Sequence, residues 1–178
     1  MVATAAGSRD AFAVLVSRYA VRTASYCARV TGDRRAGEEL GQDVLLAVWR
    51  TRQSYRPERP FRVFLFTIAR NRCRNHARSW RRRLRWLGVA MGPQSLESVG
   101  APTLGQVDEL LAAERQHAVR DALATLSERD REVVLLRFEQ DLSFAEIAAI
   151  TGRAEATVRV RVFHALEKLE LVLDRGDA

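Results

Sequence analysis

Lysine is almost missing from this chain: Lys168 is the single lysine among 29 basic residues. Positive charge is therefore carried by arginine, whose planar fork of donors suits phosphate and carboxylate better than a point charge does. Cysteine is nearly as scarce. Cys27 and Cys73 are too few for a disulfide framework and fit a reducing, cytoplasmic setting. No apolar run approaches the roughly 18 to 20 residues of a membrane span, so no membrane insertion is expected. The opening Met-Val-Ala-Thr-Ala-Ala-Gly-Ser lacks both a basic start and an apolar core, and reads as a loose tail rather than a secretion signal. Nor is there a glycine-rich phosphate loop, a pair of metal carboxylates at helical spacing, or a Ser/His/Asp set. Cys73 and His76 lie three apart, but two ligands do not make a metal site, and Cys27, His117 and His164 are scattered. These gaps argue against an enzyme and imply neither a cofactor nor a metal.

What is present is charge sorted by position. Residues 1–86 hold nineteen arginines against six acids, residues 87–106 a single Glu, and residues 107–178 ten basic residues against fifteen acids. A basic front and a mildly acidic back imply two bodies with different surfaces. Thirteen arginines crowd residues 50–85 with Glu58 as the sole acid, a density that repels itself unless a polyanion such as nucleic acid neutralises it. Tyr55, Phe61, Phe66, Trp80 and Trp86 are interleaved with that charge, and an exposed ring beside an arginine makes a platform for unpaired bases.

Apolar spacing predicts helices throughout. Phe12, Leu15, Val16, Tyr19, Tyr26, Cys27 and Val30 give a helix over 10–31, which Thr31-Gly32-Asp33 stops while capping the next. In that next helix Leu40, Val44, Ala47 and Val48 make a core stripe, whereas Leu45, Leu46 and Trp49 lie beside or beyond it. Such a helix is either buried on two sides or meets a second partner. After a polar loop, Pro60 opens a helix with Phe61, Phe64, Leu65, Ile68 and Ala69 on its apolar face and arginines thereafter. Residues 87–106, with four Gly and two Pro, read as a flexible linker able to span up to about 70 Å. The predicted fold is all-α: two small helical domains, 1–86 and 107–178, joined by that linker. In the second domain Val107, Leu110, Leu111, Val119, Leu123 and Leu126 mark one helix, and Val133, Val134, Leu135, Leu136 and Phe138 form the core of the next.

Residues 142–169 are the most informative. Two short amphipathic segments meet at Gly152, the form of a helix-turn-helix that lays its second helix in the DNA major groove. Val158, Val162, Ala165, Leu166 and Leu169 form the buried stripe, leaving Glu155, Ala156, Arg159, Val160 and Phe163 outward. Arg159 is the candidate for a base edge, since arginine bonds bidentately to guanine, and Arg153 and Arg161 suit phosphate. His164 reads as a surface or phosphate contact.

Three segments in order resemble the RNA polymerase sigma factors of the sigma-70 family, extracytoplasmic-function (ECF) type. Glu38 to Trp49 is similar to that family's polymerase-binding helix, Arg59 to Asn71 to its promoter-melting segment, and Leu126 through the helix-turn-helix to its region 4. The resemblance implies a factor that binds core RNA polymerase, through the β′ clamp coiled coil and the β subunit, and directs it to promoter DNA. It places Glu39, Gln42, Asp43, Leu46 and Trp49 on the polymerase. Tyr55, Arg59, Phe61, Arg62, Phe66, Arg70, Asn71, Arg74, Asn75 and Arg78 would read and open the −10 element. Arg153, Thr157, Arg159, Arg161 and His164 would meet the −35 element. It further implies an anti-sigma factor as partner, and a monomer when free. Ala156, Val160 and His164 depart from the usual pattern, as does the very basic Arg72 to Asn75 stretch, and these bear on promoter sequence. A helix-turn-helix regulator that binds duplex DNA without polymerase is the alternative; it would leave the arginine-rich front without a role.

Overall fold

The computed structural model describes residues 1–86 and 117–176, and every regular element among them is helical. Helix α1 (Val2–Ala5) is one turn that buries Thr4, so the opening residues are not the loose tail expected from their composition. Helix α2 (Arg9–Thr31) starts where Ser8 Oγ accepts from Ala11 N–H, and ends at Gly32 in the left-handed region (φ 78°). Asp33 caps α3 (Arg34–Arg50) by accepting from Ala36 N–H, as the Thr31-Gly32-Asp33 signal predicts. A 3-10 turn (Arg52–Ser54) and an irregular loop lead to α4 (Phe61–Trp86), an unbroken 26-residue helix about 39 Å long.

Close approach of α2 and α3 comes from small residues four apart on each helix. Gly37 lies on Ala28 and Gly41 on Ala24; a Cβ at Gly41 would stand 2.9 Å from the Ala24 Cα, and one at Gly37 would be closer still to Ala28. Against this pair α4 packs its apolar half. Phe66 meets Tyr26 edge to face at 5.3 Å between centroids, among buried Val44, Val48, Leu65 and Ala69.

The second body contains α5 (described over 117–125), α6 (Glu128–Val134), a π-helical turn (Leu135–Glu139), α7 (Phe144–Thr151) and α8 (Glu155–Gly176). Ser127 caps α6 through Asp130 N–H, and its hydroxyl also donates to the Asp130 carboxylate at 2.7 Å. Ser143 and Glu146 make a complete capping box at α7, which ends at Gly152 (φ 67°). The expected stripe of Val133 to Leu136, Val158, Val162 and Ala165 is buried. Three members of the expected core are not. Phe138 is 59% exposed because the wider π turn carries it out of the helical register, while Val119 and Leu166 lie at the edge of the body, 44% and 39% exposed. Val107, Leu110, Leu111 and the 87–106 linker lie outside the described residues.

The two bodies pack against each other. Helix α4 lies along α7, and α2 meets α6 and the π turn, so that buried residues of both bodies form one continuous cluster. Arg131 ties this junction together. Its guanidinium donates to the carbonyls of Leu123 (2.8 Å), Ala124 (3.1 Å) and Leu126 (3.3 Å) at the end of α5, and to Val30 (3.4 Å) at the end of α2. Such carbonyls at a helix end are acceptors the helix itself leaves under-satisfied, although that of Leu123 also accepts from Leu126 N–H at 3.2 Å.

Candidate nucleic-acid interface

The recognition helix is presented by two turns of sequence chemistry. The capping box fixes the start of α7, and Gly152 permits the tight reversal into α8. Once Val158, Val162 and Ala165 are buried, the 3.6-residue period turns Glu155, Thr157, Arg159, Val160, Phe163 and His164 to solvent. Arg153 is exposed at the turn itself. Arg159 is held in place rather than free: it donates to Glu155 at 2.9 Å and lies over the Phe144 ring at 4.9 Å. His164 pairs with Glu167 at 3.0 Å. Arg161 differs from its expected outward position. It is half-buried and bonded to Asp130 at 2.7 Å, bracing α8 against α6.

On α4, Arg62, Asn71, Arg78 and Asn75 are exposed, and Arg70 and Arg74 half-buried. The loop before it is built on aromatic edges. Tyr55 meets Phe61 and Phe64 at 6.4 and 5.5 Å, Phe61 meets Tyr19 at 5.2 Å, and the Tyr55 hydroxyl donates to the Arg59 carbonyl at 2.9 Å. Phe66, expected to stack on a base, is instead only 2% exposed, because the period that brings Val63 and Ala69 to the core brings Phe66 as well. The rings open to solvent are Trp80 and Trp86, with Arg83 beside Trp80.

A third surface lies on α3. Glu39, Gln42, Asp43 and Leu46 share one exposed face at i, i+3, i+4, i+7, and Leu46 is 50% exposed there. Trp49 sits half-buried at its end, between Phe12 (5.0 Å) and the Arg52 guanidinium (4.2 Å). Leu45, by contrast, is buried, so the two-sidedness of this helix reduces to Leu46 and the polar groups around it.

Arginines of α4 are met by acids of the second body, partners that residue spacing could not reveal. Arg62 grips Glu146 with two nitrogens, at 2.6 and 3.0 Å; Arg70 pairs with Glu132 at 2.8 Å and Arg81 with Glu128 at 2.6 Å. Glu139 receives Ser25 at 2.6 Å and lies 3.6 Å from Arg29. Glu146 thus serves its own helix cap and the opposite body together. Burial raises its pKa, but the Ser143 amide and hydroxyl and the Arg62 guanidinium outweigh it and hold the carboxyl below its ordinary 4.5. A depressed carboxylate stabilises the contact above the ordinary value and loses that contribution as pH falls through the depressed one. Acidification to below the ordinary carboxylate range should therefore loosen the junction at this point. Glu146→Gln should remove that component of the pH dependence, read by small-angle scattering; an unchanged pH profile would show that Glu146 contributes nothing.

A basic helical body with an arginine-rich helix, joined to a helix-turn-helix body, defines a sequence-directing DNA-binding factor. Residues 15–83 match Sigma-70 region 2, and residues 116–169 match Sigma-70, region 4. The chain is 36% identical over 154 residues to the ECF RNA polymerase sigma factor SigL of Mycobacterium tuberculosis, covering 83% of this chain and 80% of SigL. It is 32% identical over 167 residues to the RNA polymerase sigma factor CarQ of Myxococcus xanthus, covering 94% and 91%. Among solved structures, CnrH in complex with the cytosolic domain of CnrY superposes with a TM-score of 0.70 at 27% identity, covering 98% of this chain and 94% of that one. The sigma factor RpoE of Bartonella quintana, in complex with the anti-sigma factor NepR, shares the fold with a TM-score of 0.77 at 24% identity, covering 92% and 96%. The chain belongs to the sigma-70 family and is an ECF-type RNA polymerase sigma factor, which binds core polymerase and directs promoter-specific transcription initiation.

Proposed function

We propose that three surfaces divide that work. The outer face of α3, with Glu39, Gln42, Asp43, Leu46 and Trp49, docks on the β′ clamp coiled coil. The Tyr55–Phe61 loop and the polar face of α4, with Arg59, Arg62, Arg70, Asn71, Arg74, Asn75 and Arg78, take the −10 element and hold its opened strand. The start of α8 meets the −35 element through Thr157 and Arg159, with Arg153, Arg161 and His164 towards phosphate. The linker carries the chain between them. Chemistry belongs to the polymerase, so the chain acts in the cytoplasm as an initiation factor and not as an enzyme. An anti-sigma partner is proposed on the ground that CnrH and RpoE were each solved with a protein bound.

The observation that carries the assignment is Leu46, half-exposed on a helix whose opposite side already fills the core. A large apolar side chain kept at the surface amid Gln42 and Asp43 serves an external partner. Gel filtration of the chain mixed with core polymerase should give stoichiometric co-elution, and Leu46→Asp should abolish it while leaving the helical content unchanged. Co-elution by the variant at wild-type affinity would move the interface elsewhere. For the −35 surface, Arg159→Ala is expected to lower transcription by about tenfold or more on promoters carrying the preferred element, and much less on others. Equal loss on all promoters would make Arg159 a phosphate contact.

A further inference from the structure

Between α4 and the second body lies a cavity of about 310 Å³, room for on the order of ten waters. Arg70, Arg74, Arg78 and Arg81, at spacings of four, four and three, line it from one face of α4. Arg129, Arg153 and Arg161 line it from the opposite body. Among the described residues the acids in the lining are Glu128 and Glu132, and they are engaged by Arg81 and Arg70. Asp130 behind the wall takes Arg161, whose buried Nε–H nevertheless has no acceptor. Among the described residues no carboxylate lies within 4.0 Å of Arg74, Arg78, Arg129 or Arg153. Four guanidinium groups from two bodies, none of them in an ion pair among the described residues, thus line one partly enclosed space together with Glu128 and Glu132.

Like charges facing one another across a cleft repel, and the repulsion is relieved by an anion that bridges them. The forks of arginine pair bidentately with phosphate oxygens. We infer that this cleft is a binding site for a compact oligophosphate, a chain of phosphates bearing several charges. Among the described residues the remaining lining is Val133, Val158 and Thr151, without an aromatic ring. None of these residues offers a ring on which a nucleobase could stack, so we take the phosphate chain itself as the ligand and inorganic oligophosphate as its source.

Its lining joins arginines of α4 to arginines of the helix-turn-helix body, so the site is complete only while the two bodies are together. A ligand that binds only this arrangement stabilises it by mass action. Resting on the proposed division of surfaces, the consequence is regulatory: the ligand occupies Arg74 and Arg78 on the −10 side and Arg153 on the −35 side at once, in competition with promoter DNA.

The test is calorimetric titration of the full-length chain, without polymerase, with tripolyphosphate at about 0.15 M salt, where surface attraction is screened. One saturable site is expected. Arg78→Ser and Arg153→Ser should each weaken it by about tenfold or more, whereas the off-cleft control Arg9→Ser/Arg18→Ser on α2 should leave it within about twofold. Circular dichroism would verify that these exposed substitutions preserve the fold. No saturation below about 1 mM, or equal loss from cleft and control variants, overturns the site. Sensitivity to Arg78 but not to Arg153 overturns its joint construction. Sulfate binding as tightly as tripolyphosphate overturns the oligophosphate class, and a nucleoside triphosphate binding about tenfold more tightly overturns the inorganic source. Failure to co-elute with polymerase is a separate result: it would remove the regulatory consequence and leave the binding site intact.

Discussion

Gly37→Val is expected to lower the thermal midpoint of the front body by roughly 8–24 °C. A Cβ at Gly37 meets the Ala28 backbone and Cβ, not the far end of a flexible side chain. The helices cannot yield locally; they must separate, which loosens the packing of Tyr26, Val44 and Val48 beneath them. Overpacking costs about 1–3 kcal/mol and occasionally more, and a clash with backbone belongs at the upper end. Replacing glycine inside a helix contributes in the other direction by about 1 kcal/mol or less, too little to reverse the sign. Gly41→Ala, facing Ala24 at 2.9 to 3.1 Å, should cost less than Gly37→Val. Thermal melts of both variants decide the matter, and a Gly37→Val protein as stable as wild type would show that α2 and α3 do not cross this closely.

Arg70→Met should open the molecule rather than unfold it. The Arg70–Glu132 pair is the most buried ion pair among the described residues, with side chains 12% and 9% exposed. Burial pushes the Glu132 carboxyl above its ordinary 4.5 in spite of the charges of Arg70 and Arg74. Removing the arginine strands that carboxylate, and breaking such a pair costs about 3–5 kcal/mol. Because the partners sit on different bodies, parting the bodies rehydrates Glu132, and the loss cannot exceed the free energy that holds them together. Small-angle scattering should show a larger radius of gyration for Arg70→Met at neutral pH. The double variant Arg70→Met/Glu132→Leu should be compact again, since an apolar pair in such a place is neutral or stabilising. The pH sign follows from the raised pKa. Protonated Glu132 favours the closed form, so its contribution is full below the ordinary value and lost as pH rises through the raised one. Acidification should accordingly close Arg70→Met, the reverse of the loosening expected at Glu146. A compact Arg70→Met at neutral pH would leave the ion pair without a part in holding the bodies together.

The sequence by itself determined the helices and their ends, because those depend on short-range chemistry. Ser8, Asp33, Ser127 and Ser143 satisfy the first amides of their helices, and Gly32 and Gly152 adopt the left-handed conformation that ends them. The 3.6-residue period likewise sorted Val158, Val162 and Ala165 inward from Thr157, Arg159 and Phe163 outward. Tertiary structure decided the remainder. A π turn, invisible in a pattern that assumes constant pitch, put Phe138 outside, whereas the burial of Phe66 follows from the period it shares with Val63 and Ala69 and was legible along the chain. Above all, the sequence marked arginines for nucleic acid without saying what they face when none is bound. That Arg62 meets Glu146, Arg70 meets Glu132 and Arg161 meets Asp130 depends on separations of 31 to 84 residues. Charge complementarity acts through space, and no periodicity along the chain encodes which acid an arginine will reach.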